Sequence, residues 1–409
     1  MKKFIIQTAF LIAATLILFS CNEEEYNLDT EIIEIGSLES PAIDETVNID
    51  TQNATSVQFS WSPAKSGDGG LVLYSILFDK VGGDFSEPLF VAPSNNNGSA
   101  TSYTMSAARL NEIADKGGIG QLETGNIIWT VEVSSGYNTE LFPTSYTVAL
   151  IRPEGLAIFP EYMYVFGSAT EAQDLENGIA FKEIQSNLPY ETIEPGTFES
   201  ITKFTSGEFY IASSNNSENA VYYYINEEGK IRQGMEPSSF EMPEGVYRIR
   251  MDLSKATISY DEISNIELYI LASSVTKAEL TYVGNHTFES VNGYFDFLVP
   301  GGPEAPSWLG WEEERYKFKF MLNQETPSYL GSVHNSDMNA SLVPGFDAYN
   351  ARPDGGQPDY YYNTYFLGPD AEFWQGAWKF PSNLNGVSFT VRMVFDPYAD
   401  QYYHELIKN

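Results

Sequence analysis

The sequence predicts an all-β protein of tandem β-sandwich (immunoglobulin-like) domains behind a lipoprotein signal peptide. Short runs of alternating apolar and polar residues recur along the chain, for example Val57–Trp61, Tyr247–Met251 and Tyr316–Phe320. Such alternation is typical of a strand with one face in a core and the other in water. The chain has 27 Tyr and 26 Phe, which favour strands, and almost no amphipathic helical stretches. We therefore expect several sandwich domains rather than a single barrel.

The N-terminus has the pattern of a secretory signal followed by a lipid anchor. Lys2 and Lys3 precede the apolar run Phe4–Phe19, and the small residue Ser20 follows it. This pattern predicts a signal peptide over residues 1–20, because a spanning helix needs about twenty strongly apolar residues. Cys21 is the only cysteine and lies where a bacterial lipoprotein is acylated. We predict that Cys21 carries the lipid, which holds the protein on a membrane.

The charge of the chain excludes some classes of partner, and its cysteine content excludes a disulfide within the chain. Without Lys2 and Lys3 the chain keeps 20 Lys and Arg against 56 Asp and Glu, a net side-chain charge near −36. Nucleic acid is excluded as a partner because phosphate binding depends on basic patches. Anionic polysaccharides are disfavoured for the same reason, which leaves neutral glycans, cations and proteins. A single cysteine allows no disulfide within the chain, so stability must come from the cores.

The chain begins with an acidic tether and an immunoglobulin-like domain. Residues 21–36 are acidic and polar and are predicted to form a flexible spacer. The first domain is predicted over 37–153, with a linker at Arg152–Gly155. One short helix is expected at Ser106–Lys116, capped by Ser106, with Leu110 and Ile113 on its apolar side. The strands expected in this domain are 56–61, 71–79, 127–135 and 145–151.

An internal repeat follows the first domain. Two segments have counterparts further along the chain, in the same order: Glu161–Ala169 with Glu267–Ser274, and Tyr247–Leu253 with Phe389–Phe395. The second pair of segments, Tyr247–Leu253 and Phe389–Phe395, is followed in each copy by a strand that contains tyrosine. Two copies of one β-sandwich, over about 160–265 and 266–409, explain this order best. The second copy is longer and carries its extra residues between about 300 and 386, where we expect the specialised surface.

These motifs together give the chain a family resemblance. Five features occur in a characteristic order: Cys21 followed by Asn22–Glu25, Phe59–Ser62, Tyr74–Phe78, Leu110-Asn111 on the helix, and Trp129–Val133. Small β-sandwiches that open with a strand such as Tyr164–Gly167 come next. In this order the mature chain resembles the SusE/SusF family of surface starch-binding lipoproteins, and most closely its SusE-like members.

The resemblance implies a non-catalytic protein that binds polysaccharide or oligosaccharide on the outer membrane, facing the cell exterior. It also implies partners, namely an outer-membrane importer and its lipoprotein lid. In the family, sugar rings stack on aromatic side chains, and starch-like α-glucan is the best-known ligand, although related lipoproteins match other polysaccharides. The segment Thr170–Asn177, which often contains tryptophan in such modules, has none here. Glycan binding by the first copy is therefore not expected on this ground.

Candidate glycan-binding residues lie mostly in the second copy. Trp61 and Trp129 alternate within strands and are predicted to be core residues. The remaining tryptophans follow prolines and glycines and are interpreted as loop residues, which makes them candidates for stacking. The predicted planes are Trp308, Trp311, Trp374, Trp378 and Tyr361, and the predicted polar partners are Gln375, Lys379, Asn363 and Arg392. The alternative is that some of these tryptophans close the end of an enlarged sandwich.

Catalytic and metal-binding signatures are scarce. The three histidines, His286, His334 and His404, lack zinc-type spacing, and the chain has no Gly-x-Ser-x-Gly elbow or P-loop. A carboxylate pair of the glycosidase type cannot be excluded by counting, but small sandwiches favour a binding protein. Calcium is possible at Asp337–Asn339 or at Asp347 with Asp354, although a solvated acidic loop is favoured and no cofactor is expected.

Two functions remain open from the sequence. One is a surface lipoprotein that retains glycan near an importer. The other is a structural subunit of the importer complex without sugar binding. Tryptophans in the second copy favour the first, and the lack of tryptophan in the first copy favours the second for that part.

Overall fold

The computed structural model describes residues 30–184, 195–334 and 349–409, apart from Gln52, Ala54, Gly356 and Glu372. The signal peptide and Cys21 lie outside the described residues, as do Asp337, Asn339 and Asp347 of the calcium hypothesis. The chain divides into two compact units, Met1–Pro153 and Glu154–Asn409. Strands dominate both units, and their sheets are open and almost entirely antiparallel. The all-β sandwich prediction is confirmed.

The N-terminal unit packs an open sheet in the order β3-β11-β9-β6-β7 with a smaller sheet β2-β4-β8 and the strand pair β1-β5. Its elements are β1 Ile32–Glu34, β2 Leu38–Ser40, β3 Glu45–Asn48, β4 Ser56–Trp61, β5 Lys65–Ser66, β6 Leu73–Lys80, β7 Phe90–Pro93, β8 Ser102–Ser106, α1 Ala107–Lys116, β9 Thr124–Ser135, β10 Asn138–Leu141 and β11 Tyr146–Ile151. β10 adds to the edge of the larger sheet beside β9.

The core of this unit has the residues that alternation in the sequence predicted. Trp61 and Trp129 are 1% and 0% exposed. The helix α1 begins after Ser106, whose hydroxyl accepts the backbone N–H of Arg109 at 3.3 Å. Leu110 and Ile113 on α1 are buried in the same core as both tryptophans. The predicted helix, its cap and its apolar side are confirmed.

The tether and the linker differ from their predicted extent. Ile32–Glu34 form β1, and Ile32 is buried, so the acidic segment contains a packed strand. Arg152 is also buried, because its guanidinium donates to Asn111 Oδ1 and to Asp115 Oδ1, each at 2.8 Å. The prediction of a free tether up to residue 36 is therefore wrong, since the pairing of β1 with β5 and the buried Ile32 fix its end. Arg152 belongs to the packed N-terminal unit.

The C-terminal unit is a continuous series of antiparallel strands. Its strands are β12 Met163–Phe166, β13 Ile179–Glu183, β14 Thr197–Phe204, β15 Gly207–Ala212, β16 Tyr222–Ile225, β17 Ile231–Gln233, β18 Ser238–Phe240, β19 Gly245–Asp252, β20 Thr257–Ile270, β21 Val275–Gly284, β22 Thr287–Phe295, β23 Arg315–Leu322, β24 Thr326–Gly331, β25 Tyr365–Gly368, β26 Trp378–Lys379, β27 Val387–Val394 and β28 Tyr403–Lys408. Short 3-10 turns lie at Asp359–Tyr362 and Ser382–Leu384.

The strand pairings of this unit occur twice. β12 pairs with β13 and β15, and β14 pairs with β19. In the same order, β20 pairs with β21 and β23, and β22 pairs with β27. The long strand β20 takes part in both sets, because its first half pairs with β19 and its second half with β21 and β23. The sequence repeat thus has a counterpart in the pairing order, while the boundaries 160–265 and 266–409 stay a prediction.

The two sets of strands differ in the length of the connection between their third and fourth strands. Only Thr205 and Ser206 separate β14 from β15, whereas residues 296–314 separate β22 from β23. We call this longer connection the β22–β23 loop. It lies beside a large aromatic core that includes Phe295, Phe318 and Phe380. The insertion places new side chains at the edge of an otherwise repeated sandwich.

Candidate functional site

The β22–β23 loop is closed at its base and anchored at its middle. The N–H of Leu298 donates to the carbonyl of Glu313 at 3.0 Å, and the N–H of Glu313 donates back at 2.9 Å. Loops whose ends meet in this way are compact and are frequently functional. Leu309 is 5% exposed and packs into the core, whereas Trp308 and Trp311 on either side of it are 53% and 51% exposed. The buried leucine therefore fixes the loop while the indoles face solvent.

Three tryptophans come together on this surface, and we call Trp308, Trp311 and Trp374 the aromatic platform. The ring centroids of Trp308 and Trp311 are 6.0 Å apart with an interplanar angle of 53°. Trp308 and Trp374 are 6.5 Å apart and nearly perpendicular, at 88°. Phe373, 46% exposed, extends the surface through an edge contact with Trp374 at 4.9 Å. An exposed apolar patch of this kind, bordered by polar groups, is typical of an interaction site.

Trp374 reaches the platform from the turn before β26 and is itself supported from below. Its ring packs against the small buried cluster of Leu271 and Ala377, together with Tyr269 on β20. The N–H of Ala377 donates to the Trp374 carbonyl at 3.2 Å, which tightens the turn. Gly376 in this turn has φ of +70° and lies against the backbone of Ser332. A side chain at Gly376 would both strain the turn and clash with the backbone of Ser332.

A buried carboxylate organises the base of the platform. Glu313 is 0% exposed, and its Oε2 accepts the indole N–H of Trp311 at 2.7 Å and Nη1 of Arg315 at 2.6 Å. Its Oε1 accepts the backbone N–H groups of Glu314 and Arg315, at 3.1 and 2.9 Å. Four donors offset the cost of burying this charge. The bond to Trp311 fixes the tilt of an exposed ring.

Arg315 connects the β22–β23 loop with Trp374 and with the segment after residue 348. Its guanidinium carbon lies 5.6 Å from the Trp374 ring centroid. Its Nε donates to the carbonyl of Tyr349 at 2.9 Å, and Nη2 donates to Asn350 Oδ1 at 2.8 Å. A planar guanidinium held in this way can support an indole and present donors at the same edge.

Two of the predicted stacking residues are core residues instead. Trp378 on β26 is 0% exposed, stacks on Tyr316 at 5.7 Å, and donates its indole N–H to the Tyr361 carbonyl at 2.8 Å. Tyr361 is also 0% exposed, and it stacks on Tyr349 with a centroid distance of 4.5 Å. The interpretation of Trp378 as a loop residue is wrong, because β26 pairs with β23, and the candidate plane Tyr361 is buried in the 3-10 turn Asp359–Tyr362. Neither offers a free ring face to a ligand.

The predicted polar partners are also spread out. Lys379 is mostly buried, and its Nζ donates to Glu314 Oε1 at 2.7 Å. Arg392 lies on β27, where it forms ion pairs with Glu289 at 2.5 Å and Glu405 at 3.6 Å. Gln375, half-buried, directly follows Trp374 and is the predicted polar residue that remains beside the platform. The charged groups of Lys379 and Arg392 are therefore engaged by carboxylates.

The residues of the candidate site that the sequence analysis did not single out are Phe373, which extends the platform, and three residues beneath it, Glu313, Arg315 and Tyr269. A further one is Lys317, on the same side of β23 as Arg315, whose Nζ lies 4.7 Å from the ring centroid of Tyr329. Burial lowers the pKa of Lys317 to about 8. The alternation of Tyr316–Phe320 predicted that Lys317 faces water, but the structure leaves this side chain only 1% exposed. The sequence pattern did not show that the water-facing side of β23 is covered.

The histidines and acids form no metal-binding cluster in the part of the chain that the structure describes. His404 is buried, with Nε2 2.7 Å from the Tyr316 hydroxyl and Nδ1 3.2 Å from the Thr364 hydroxyl. Asp354 accepts the backbone N–H of Ser382 at 2.6 Å. Within the described ranges, no group of three or more His, Cys, Asp or Glu side chains could hold a metal ion. The calcium hypothesis, which depends largely on undescribed residues, is not tested by this geometry.

Residues 15–132 match the SusE outer membrane protein family. This match covers less than a third of the chain and is consistent with the SusE-like assignment. The family is one of outer-membrane surface binding proteins and is not a known enzyme family. Among the described residues, no helix is long and apolar enough to cross a membrane. The matched segment does not include the platform, so the family match carries no information about the site.

Other comparisons add no argument about activity. No curated protein matches the chain. A crystal structure of a quinonprotein alcohol dehydrogenase-like protein from Bacteroides thetaiotaomicron matches with 91% of this chain and 94% of its own chain covered, at 9% identity. The TM-score is 0.16, a likeness too low to support an inference about fold or chemistry.

Proposed function

We propose that this protein is a non-catalytic, lipid-anchored glycan-binding protein of the cell surface that retains polysaccharide or oligosaccharide for an outer-membrane importer. The observation that carries the proposal is the aromatic platform, where Trp308, Trp311 and Trp374 are assembled from two separate loops. Indole faces stack on the C–H faces of sugar rings, and adjacent polar groups bond the hydroxyls. Arg315 and Gln375 supply such groups at the edge of the platform.

The charge of the chain and the angles between the platform rings restrict the classes of glycan that fit the site. With 56 acidic against 22 basic residues, the surface repels polyanions and favours a neutral glycan. The platform rings meet at 53° and 88°, so they form an angled surface rather than a flat one. An angled surface fits a curved chain such as a starch-like α-glucan better than a flat ribbon. We therefore propose α-glucan as the first ligand to test.

Location and affinity follow from the anchor and the shape of the site. Acyl chains on Cys21 would hold the protein on the outer membrane, facing the cell exterior, beside the importer and its lipoprotein lid. A shallow platform binds weakly through one contact. Many copies on one membrane raise the overall affinity for a long polymer, because a polymer held at one site meets the next at high effective concentration.

The experiment is native affinity electrophoresis of the lipidated protein, purified in detergent, against neutral and acidic polysaccharides. We expect retardation by a neutral glycan, with α-glucan first in the panel, and none by polyuronates or sulfated glycans. Tyr137→Ala is a matched control, because Tyr137 is fully exposed and lies in the N-terminal unit. Retardation by no glycan would contradict the proposal. That outcome would favour a structural subunit of the importer complex, and the exposed tryptophans would then be tested as a protein contact.

A further inference from the structure

A cavity of about 300 Å³ lies on the same module as the platform and is lined by residues on β21, on and after β22, and on the β22–β23 loop. The lining residues that matter here are Lys277, Tyr294, Asp296, Phe297, Glu304 and Ala305. We infer that this cavity, called the end pocket, binds the terminal sugar residue of a glycan whose following residues lie on the aromatic platform. The inference rests on the proposed function and assigns a second, separate subsite to it.

The end pocket and the platform share one loop. The β22–β23 loop supplies the wall of the pocket from Val299 to Ala305 and then, three residues after Ala305, supplies Trp308. Three residues span at most about 11 Å of chain. The two hydrogen bonds between Leu298 and Glu313 close the loop, so its pocket-lining part and its tryptophans are held together. A short oligosaccharide can therefore reach from one subsite to the other.

The polar groups of the end pocket suit sugar hydroxyls. The Tyr294 hydroxyl donates to the Asp296 carboxylate, at 3.1 and 3.2 Å to its two oxygens. A carboxylate has about four acceptor positions, so Asp296 can also accept from a ligand. Lys277 is 14% exposed at its side chain, and its Nζ bonds Glu304 Oε2 at 2.6 Å. An ammonium has about three donors, so Lys277 has further donors for a hydroxyl oxygen.

The apolar groups and the size of the cavity fit a single sugar ring better than an internal stretch of a polymer. Phe297, Leu298 and Ala305 provide apolar walls for the C–H face of a sugar. A volume of about 300 Å³ lies at the lower end of ligand pockets, which run from about 300 to 1,000 Å³. Asp296 and Glu304 outweigh Lys277 in charge, which disfavours a uronic acid or a sulfated residue. The pocket therefore suits the neutral end of a chain.

The test compares two α-1,4-glucans of seven units, one linear and one cyclic, by calorimetry on the detergent-purified protein. The cyclic form has no chain end, so it can use the platform but not the end pocket. We expect Asp296→Ala and Tyr294→Ala each to weaken binding of the linear form about tenfold, the effect of losing one charge-assisted hydrogen bond. Binding of the cyclic form should not change. Val291→Ala is the matched control, because Val291 is exposed on β22 outside the pocket.

The outcomes separate the two proposals. Equal affinity of the Asp296 and Tyr294 variants and the wild type for the linear form would overturn the end pocket and leave the proposed function standing. Equal weakening of both forms would also overturn it, because a chain end would then be irrelevant. Trp374→Ala should weaken both forms, since both use the platform. Binding of neither form by the wild type would overturn the end pocket together with α-glucan as the ligand.

Discussion

The indole N–H of Trp311 donates to the fully buried carboxylate of Glu313 at 2.7 Å, two residues along the chain. The same oxygen accepts Nη1 of Arg315, whose guanidinium carbon lies 5.6 Å from the Trp374 ring centroid. One carboxylate thus positions an exposed ring directly and supports another through an arginine. The platform is held by its charged base and does not rely on contacts among the tryptophans alone.

Glu313→Gln is expected to weaken glycan binding about tenfold and to lower the free energy of unfolding by about 1–3 kcal/mol. The amide keeps the shape of the side chain but loses the charge that holds Trp311 and Arg315. Affinity electrophoresis and denaturant unfolding measure the two effects. Glu312→Gln is the matched control, because the Glu312 side chain is 42% exposed and pairs with Arg352 away from the indoles. Wild-type affinity in Glu313→Gln would show that Glu313 does not position the platform.

Trp378→Ala is expected mainly to lower stability, whereas Trp308→Ala is expected mainly to reduce glycan retention. Trp378 is 0% exposed, so its removal should cost about 3–5 kcal/mol of stability through the cavity that it leaves. Trp308 is 53% exposed, so its removal should cost less than about 1 kcal/mol but reduce glycan retention. Denaturant unfolding and affinity electrophoresis of both variants check this pair. A stable Trp378→Ala variant that no longer binds glycan would show that Trp378 belongs to the binding site after all.

Stability is expected to fall in mild acid partly because of His404. Burial lowers the pKa of His404 to about 3, from 6.5 in the unfolded chain. Between these values the unfolded chain binds a proton that the folded chain does not, so this residue lowers stability as the pH falls, by about 1.4 kcal/mol per pH unit. Above pH 6.5 both states are neutral and the contribution is constant. His404→Gln should flatten this dependence in denaturant unfolding, and an unchanged slope would contradict the assignment.

Cys21→Ser is expected to abolish lipid attachment and to release the protein from the membrane fraction. Membrane retention depends on the acyl chains, each methylene contributing about 0.8 kcal/mol. Fatty-acid labelling and fractionation of cells measure both effects. Ser20→Ala is the matched control, because it changes the neighbouring residue but keeps the thiol. Membrane retention of unlabelled Cys21→Ser would mean that another part of the chain provides the anchor.

The sequence predicted the features that depend on local pattern. Alternation predicted β4, β9 and β23, and the capping position of Ser106 predicted α1. Tyr316, Phe318 and Phe320 are buried as that alternation requires. These predictions succeeded because a strand with one buried face specifies its own register.

The features that the sequence did not predict depend on pairing between distant segments. β26 has two residues, too few to show alternation, so only its pairing with β23 reveals that Trp378 faces the core. Trp308 and Trp374 are far apart in the sequence, and the folded loops bring them to 6.5 Å. Glu313 was one acid among 56, and its hydrogen bond from the Trp311 indole, which needs the fold, is what connects it with the platform.

The most direct test of the platform is affinity electrophoresis of a variant with Trp308, Trp311 and Trp374 all changed to Ala, in the glycan that retards the wild type. These are surface side chains, half-exposed or partly buried, so the variant should fold and give wild-type mobility in a gel without glycan. We predict that its retardation by the glycan is lost while Tyr137→Ala is retarded like the wild type. Full retardation of the triple variant would contradict the proposed binding surface.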